Sequence, residues 1–316
     1  MPRFKLTIEY AGTRYSGWQI QQNAKTVQGE IDRAARTVTG RKDFELYGSG
    51  RTDAGVHALA QVAHLDVSTS LPAETLRRRL NEELPADINL LDAAQVPHRF
   101  HARHHAVARR YLYQIARRRT AFAKPYVWWV KEPLDVERMR EAARAFVGMR
   151  DFRSFAAWSV SDGYEHAPSR PAPPKDGRNS QVVRREARLR GAREPVGRPA
   201  PRDARDEPDD TPPSTLVLVD HLEIIEDGDL LLVSIQGSHF LWKMVRRMVG
   251  VLVEIGRGEL SSDAVRTFLA EGSSAPARLT APPSGLFLEH VYYQGDPQDA
   301  PPRAATPLPS SLTTKS

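Results

Sequence analysis

An arginine and an aspartate stand two positions apart in a glycine-rich segment of this 316-residue chain. Arg51 and Asp53 lie within GSGRTDAG, residues 48–55, and sequences typical of β-strands flank the segment on both sides. Side chains two positions apart in an extended segment point the same way, so both charged groups could reach one cleft. A simple hairpin uses roughly two to five loop residues, and this loop is longer. The segment therefore indicates a functional loop rather than a plain turn with a surface aspartate.

Several common kinds of site do not fit this loop. It lacks the lysine followed by serine or threonine that a phosphate-binding P-loop requires. Its glycine spacing differs from that of dinucleotide-binding folds, and a strand pattern rather than a helix follows it. Ser49 lacks the glycine pattern of a serine nucleophile. A metal site is disfavoured, because the histidines at 98, 101 and 104 lie among arginines and no carboxylate cluster accompanies them. No metal is predicted.

The segments around the loop predict strands and helices in alternation. Phe4–Gly12 alternates as a strand does, and Thr26–Gly40 has apolar residues at helical spacing between a capping threonine and a terminating glycine. Further strands are predicted on both sides of the loop and in INLLDAAQV, with a second helix in PAETLRRRLNEEL. This order predicts an α+β fold with a largely antiparallel sheet.

The second half of the chain shows the same kind of pattern. Strands are predicted at Ala106–Arg118, in a hairpin that turns at Asp227 and Gly228, and in GLFLEHVYY. Helices are predicted at Leu134–Gly148, at His239–Gly258 and in SSDAVRTFLAEG. Each half thus offers strands with helices on one face, although no repeat is visible at the level of residues.

Composition restricts the class of protein further. The chain has no cysteine, which excludes disulfides, thiolate zinc sites and a cysteine nucleophile, and which is typical of a reducing cytoplasm. No run of 18 apolar residues predicts a membrane span. The formal charge is +6, and residues 93–131 contain nine Lys and Arg but no Asp or Glu. Arginines interleaved with aromatic residues favour a nucleic-acid partner.

Two segments are predicted to be disordered. Residues 168–213 contain ten of the 24 prolines and no Phe, Tyr or Trp, so they cannot bury enough apolar surface to offset their ordering entropy. The end of the chain has a similar composition. We therefore predict an N-terminal half at 1–105 and a C-terminal half at 106–294, with an insertion at 159–214 and a disordered tail at 295–316.

Taken together, these motifs resemble the tRNA pseudouridine synthase A family. GSGRTDAGVHALAQVAHLD is similar to the family's signature, and five other segments resemble family segments in the same order. They are YAGTRYSGWQIQQNAKTVQGEID, FHARHHAVARRYLYQI, DFRSFA, FLWKMVRRMVGVLVEIGRG and PPSGLFLEHVYY. The resemblance covers residues 3–158 and 215–293, so the Pro/Arg-rich insertion is the one interruption.

The resemblance implies a fold of two ferredoxin/RRM-like halves with an active-site cleft between them. It implies isomerisation of uridine to pseudouridine in the anticodon stem-loop of tRNA, at tRNA positions 38–40. It also implies that no cofactor is needed and that the protein is a cytoplasmic homodimer. A catalytically inactive RNA-binding or tRNA-folding protein on the same scaffold remains the alternative.

The resemblance assigns roles to four residues. Asp53 would be the nucleophile, because an aspartate can add to the base or the ribose and leave again. Arg51 would help to displace the target base, Tyr111 would stack on the flipped uracil, and Arg246 would pair with Asp53. The glycines of the loop would let the backbone approach RNA closely.

Four further cations are predicted to contact the RNA backbone. They are Arg109, Arg110, Lys243 and Arg247. The segment FLWKM carries Trp242 and Lys243 where the family pattern predicts less bulky polar residues.

Overall fold

One mostly antiparallel β-sheet organises the computed structural model, which describes residues 1–157 and 214–308. Apart from its last residue, the predicted insertion at 159–214 lies outside the described residues. The strands are β1 (Arg3–Tyr10), β2 (Glu45–Gly48), β3 (His57–Asp66), β4 (Ile88–Val96), β5 (Ala106–Ala116), β6 (Trp128–Trp129), β7 (Gly148–Asp151), β8 (Leu216–Asp227), β9 (Leu230–Gly237) and β10 (Leu286–Tyr293). The helices are α1 (Val27–Thr39), α2 (Ala73–Glu83), α3 (Val136–Ala143), α4 (Met244–Gly256), α5 (Ala264–Ala270) and α6 (Ala275–Arg278).

The strands lie in the order β4-β1-β3-β10-β5-β9-β8-β7, with β2 beside β3 and β6 beside β5. Neighbouring strands are antiparallel except in the β3–β10 and β5–β6 pairs. The predicted α+β class with a mainly antiparallel sheet is therefore confirmed. The strands of both halves join in one sheet, because β10 lies between β3 and β5. The division into halves at residue 105 remains a proposal.

Local sequence signals explain the ends of α1. The Thr26 side chain accepts a hydrogen bond from the N–H of Gly29, as an N-cap residue does. Gly40 ends the helix with φ 67°, a left-handed conformation that glycine adopts without strain. Val27 and Ile31 are fully buried on the face that meets the sheet.

Successive side chains of a strand point to opposite faces of the sheet, so each face has its own hydrophobic core. In β5, Tyr113 and Ile115 belong to a core that also contains α3 and α4. Leu112 and Ala116 point to the opposite face and belong to a different core. A further core on the N-terminal side contains α1 and α2 together with β1 and β3. The long helices thus cover one face, as predicted.

The helix predicted at His239–Gly258 begins five residues later than the sequence indicates. Lys243 has a left-handed φ of 61°, and α4 begins at Met244. Ser238 and Trp242 are instead tied to neighbouring segments through their backbones, since Ser238 N donates to Leu218 O at 2.9 Å and Trp242 O accepts from Ala157 N at 2.8 Å. These tertiary contacts keep the segment before α4 as a loop.

In the part of the chain that the structure describes, none of the helices has both the length and the apolar composition that a membrane crossing requires.

Residues 295–308, which the sequence assigns to a disordered tail, instead lie against the sheet face opposite the long helices. The side-chain amide of Gln114, fully buried in β5, donates to Thr306 Oγ1 at 3.0 Å. Its carbonyl oxygen accepts from the N–H of Ala305 at 2.7 Å. Leu308 packs against the core on this face. The proline-rich composition predicted disorder. The segment is ordered instead because the buried side-chain amide of Gln114 provides hydrogen-bond partners for it.

We predict that ending the chain at Asp296 destabilises the fold without abolishing it. The truncation removes the hydrogen bonds to Gln114 and the cover over Leu112, and each lost hydrogen bond costs about 1 kcal/mol. We expect the free energy of unfolding to fall by about 2 kcal/mol and Tm by roughly 4–8 °C. Thermal unfolding of the full and truncated chains measures this, and an unchanged Tm would show that the segment contributes nothing.

Candidate active site

The glycine-rich segment forms a loop, residues 49–56, whose first two residues are hydrogen-bonded to strand β3. Ser49 donates its hydroxyl to Gln61 Oε1 at 2.7 Å and its N–H to Val62 O at 2.7 Å. The amide nitrogen of Gln61 donates to Gly50 O at 3.1 Å. Because Gln61 is fully buried in β3, this side chain joins the start of the loop to the sheet.

The middle of the loop is hydrogen-bonded to residues near the N-terminus of the chain. Thr52 Oγ1 lies 2.8 Å from the hydroxyl of the buried Tyr10, and Thr52 O accepts from Trp18 N at 3.1 Å. Val56 N donates to Asp53 O at 3.1 Å, which closes a turn directly after the aspartate. Asp53 therefore projects from a fixed backbone rather than from a free loop.

Packing inside the protein explains two of the three glycines in the motif. A Cβ on Gly48 would lie 2.6 Å from Trp18 Nε1, so only glycine leaves room for the indole. Gly55 has φ +79°, where other residues are strained. A Cβ on Gly50 would meet nothing within 4 Å. Gly48 and Gly55 are thus required by the fold itself. The prediction that glycines let the backbone approach RNA closely therefore applies to Gly50.

Asp53 and Arg246 form an ion pair between the two halves of the chain. Nη1 of Arg246, in the first turn of α4, lies 3.1 Å from Asp53 Oδ2, and the two side chains are 13% and 19% exposed. Nε of the same guanidinium donates to Ala281 O at 2.7 Å. The backbone N–H of Ala281 donates to Arg246 O at 3.0 Å. The guanidinium thus has a fixed direction towards the carboxylate.

Tyr111 lies where the two cores of the helix-covered face meet, and it packs against both. Its ring makes an edge contact with Phe240, with centroids 5.2 Å apart. Burial, reinforced by the negative charge of Asp53 and opposed by Arg109, raises the pKa of Tyr111 to about 12. The phenol therefore keeps its proton at neutral pH and can donate a hydrogen bond.

Two cations with predicted roles are accessible: Arg51, predicted to displace the target base, and Lys243, one of the four predicted to contact the RNA backbone. Arg51 is exposed and has no hydrogen-bond partner among the residues that the structure describes. Lys243 lies at the start of α4, with Nζ 4.7 Å from the ring centroid of Trp242, whose side chain is 46% exposed. Both cations can therefore meet a ligand without giving up an ion pair inside the protein.

The other three predicted cations are engaged inside the protein. Arg109 donates to four backbone carbonyls. Arg110 points to the opposite face of the sheet, where its Nε lies 2.8 Å from a carboxylate oxygen of Glu289, and both side chains are nearly buried. Arg247 donates to Ala156 O. Because these guanidiniums already have internal partners, their positions do not favour the predicted phosphate contacts.

The histidines of residues 1–157 and 214–308 do not assemble a metal site. No three His, Asp or Glu side chains converge to hold an ion within the described ranges, 1–157 and 214–308. His57 has a backbone role, because its Nδ1 accepts from Gly12 N at 3.1 Å. His101 Nδ1 likewise accepts backbone N–H groups of its own loop.

The residues just before β10, for which the sequence predicts no role, connect the parts of the site. Ala281 hydrogen-bonds Arg246, and Pro282 O accepts from the Tyr113 hydroxyl at 2.7 Å. Pro283 packs beside Gly55, where a Cβ would lie 3.0 Å from the proline ring. The sequence signal that could have drawn attention to this segment is the pair of adjacent prolines shortly before β10.

These groups form an arrangement suited to nucleophilic chemistry. A carboxylate lies in a shallow, partly buried position, where a guanidinium aims it and a neutral phenol lies nearby. The guanidinium of Arg51, on the same loop, is exposed to solvent. An aspartate held this way can attack an electrophilic carbon and leave again.

Comparison with known proteins identifies the family. The family model described as tRNA pseudouridine synthase matches residues 6–105 and 203–294, more than half of the chain. Asp53 and Arg246 both lie inside the matched stretches.

Whole-chain comparison finds similar relatives. This chain is 37% identical to tRNA pseudouridine synthase A of Rhodopseudomonas palustris (strain BisA53), over 93% of this chain and 100% of that protein. The identity is 36% to the protein of that name from Nitrobacter winogradskyi, over 93% and 97%, and 35% to that of Geotalea uraniireducens, over 93% and 100%. The chain therefore belongs to the tRNA pseudouridine synthase family.

Proposed function

We propose that this protein isomerises uridine to pseudouridine in the anticodon stem-loop of tRNA, with Asp53 as the nucleophile. The observation that carries the proposal is the ion pair between Asp53 and Arg246. It joins a carboxylate and a guanidinium from distant parts of the sequence, and the carboxylate is close enough to Tyr111 to raise the pKa of its phenol. An ion pair needed for stability alone has no reason to be placed on a glycine-rich loop beside a tyrosine.

The reaction needs no redox change. The bond between N1 of uracil and C1′ of ribose breaks, the uracil turns over, and a bond forms between C5 and the same C1′. C5 then loses its proton and N1 gains one, so that atoms and charges balance. Asp53 forms the transient covalent bond, to the base or to the ribose, and leaves when the new bond is complete.

The groups around Asp53 have complementary roles in this proposal. A uridine in or beside a stem has to leave the stack before an enzyme can reach it, at a cost of a few kcal/mol. The exposed Arg51 takes the place that the base leaves, and Tyr111 stacks on the flipped uracil. Because Tyr111 keeps its proton, its hydroxyl can also donate to a uracil carbonyl.

Contacts with the RNA backbone are assigned to the accessible cations. Lys243 is the predicted phosphate ligand whose ammonium remains available, and the exposed face of Trp242 lies beside it. We propose further that the protein acts as a homodimer in the cytoplasm and without a cofactor, as the resemblance implies. Light scattering of the purified protein measures the oligomeric state.

The function is tested with an unmodified tRNA transcript that contains uridine tritiated at C5. We expect tritium release in the presence of a chelator, intact RNA afterwards, and pseudouridine on the 3′ side of the anticodon stem-loop. Binding without release would favour the alternative of a non-catalytic RNA-binding protein. Cleaved RNA and chelator-sensitive activity would favour a metal-dependent hydrolase instead.

A further inference from the structure

Arg109 occupies an unusual position beside the proposed site. It lies in β5 two residues before Tyr111, so both side chains project from the same face of the sheet. Its neighbours across the sheet are Gly237 in β9 and Val291 in β10. No carboxylate pairs with it within the described residues, and its side chain is only partly exposed to solvent.

Backbone carbonyls from three separate loops satisfy this guanidinium. Nη2 donates to Ser49 O in the loop that carries Asp53, at 3.2 Å, and to Arg103 O in the β4–β5 loop, at 2.9 Å. Nη1 donates to Ser238 O in the loop before α4, at 2.8 Å. It also donates to Ala106 O, at the start of its own strand, at 3.2 Å.

Two of these three loops lead to groups of the site. Ser49 begins the loop with Asp53, Ser238 begins the loop that leads to Arg246, and the remaining loop carries the exposed Arg103. One cation therefore fixes the backbone on both sides of the Asp53–Arg246 ion pair. A lysine could not replace it, because its donors share one nitrogen atom, whereas the planar guanidinium presents five donors in a fixed fork.

We propose that Arg109 is a positioning residue for the isomerisation: it sets the distance between the loop bearing Asp53 and the loop leading to Arg246, rather than binding RNA phosphate. This inference rests on the proposed function. Its consequence is that Arg109 controls the rate of the chemical step and not the affinity for tRNA.

Arg109→Lys tests the proposal because lysine keeps the positive charge but lacks the planar set of guanidinium donors that bonds several carbonyls at once. Under single-turnover conditions with saturating tRNA, we expect the rate of tritium release to fall at least about tenfold, since small displacements of reacting groups are costly. The Kd for tRNA should stay within about threefold, and its salt dependence should not change, since a lost phosphate contact would reduce the slope by about one.

The matched control is Arg140→Lys on α3, where Nε also donates to a backbone carbonyl, that of Ile224 at 3.0 Å, outside the three loops that Arg109 joins. It should leave both rate and affinity unchanged. An unchanged rate in Arg109→Lys would overturn the proposal, and so would a weaker Kd with a smaller salt slope, which would make Arg109 a phosphate ligand. A variant that loses the near-UV circular dichroism of the folded protein would also count against it, because Arg109 would then serve general stability.

A second measurement does not depend on activity. Amide hydrogen exchange without RNA should become faster at residues 49–56 in Arg109→Lys, while residues 112–116 of the same strand remain as protected as in the unchanged chain. Equal exchange in the loop would contradict the positioning role even if no tRNA substrate were found. Failure of the proposed function would appear instead as absence of tritium release from the unchanged protein, so the two failures can be told apart.

Discussion

Replacing Asp53 by asparagine is expected to slow tritium release from C5-labelled tRNA by orders of magnitude while tRNA binding persists. Asparagine has the same shape as aspartate, and its carbonyl oxygen can still accept from Arg246 Nη1, so the loop should keep its conformation. It cannot act as a nucleophile that adds and leaves. We expect the rate to fall by at least about 10³-fold, as for nucleophile replacements in other enzymes.

Binding and folding separate this effect from a general defect. The Kd for tRNA should not weaken, because the substitution removes a negative charge near a polyanion. The matched control is Asp43→Asn, the same change at an exposed position on the chain segment before β2. It should leave release unchanged. Full release by Asp53→Asn would refute the assignment of the nucleophile, whatever else the protein binds.

Elements with strong local signals were predictable from the sequence. Thr26 and Gly40 delimit α1 within one residue of the prediction, because a cap and a left-handed glycine act through neighbouring residues. The start of α4 was not predictable, because the left-handed Lys243 and the loop before it depend on contacts with distant segments. The parallel pairing of β3 with β10 joins residues 57–58 to 287–288 and has no local signal either.

The candidate site also combines features that the local sequence predicts with features that depend on distant residues. The spacing of Arg51 and Asp53 indicated a functional loop without any structure. The partner of Asp53 came from the family resemblance alone, because Arg246 lies 193 positions further along the chain. Arg109 was predicted to bind phosphate, because the sequence does not show which arginines already have partners inside the protein. That prediction stays untested, and the hydrogen bonds of Arg109 to four carbonyl oxygens are what support the positioning role proposed above.

Replacing Arg246 by lysine is expected to slow the reaction by about 10²-fold with little effect on tRNA affinity. In the structure one guanidinium spans two acceptors, with Nε on Ala281 O and Nη1 on Asp53 Oδ2. A lysine ammonium can approach either acceptor but cannot keep both at these distances and directions. The carboxylate then keeps a nearby positive charge and loses its fixed orientation, so the rate falls while the net charge of the protein is preserved.

The matched control for Arg246→Lys is Arg257→Lys at the far end of the same helix, where the guanidinium pairs with Glu254 and Glu132. It should leave tritium release unchanged. Weaker tRNA binding by Arg246→Lys at an unaltered rate would instead make Arg246 a phosphate ligand.

A double-mutant cycle shows whether Arg246 acts through Asp53. If it does, the variant carrying both Asp53→Asn and Arg246→Lys should release tritium no more slowly than Asp53→Asn alone, because the second change removes an orientation that has no remaining nucleophile to serve. Multiplying losses would mean that Arg246 also contacts the substrate directly. The cycle therefore distinguishes a guanidinium that aims the nucleophile from one that binds RNA.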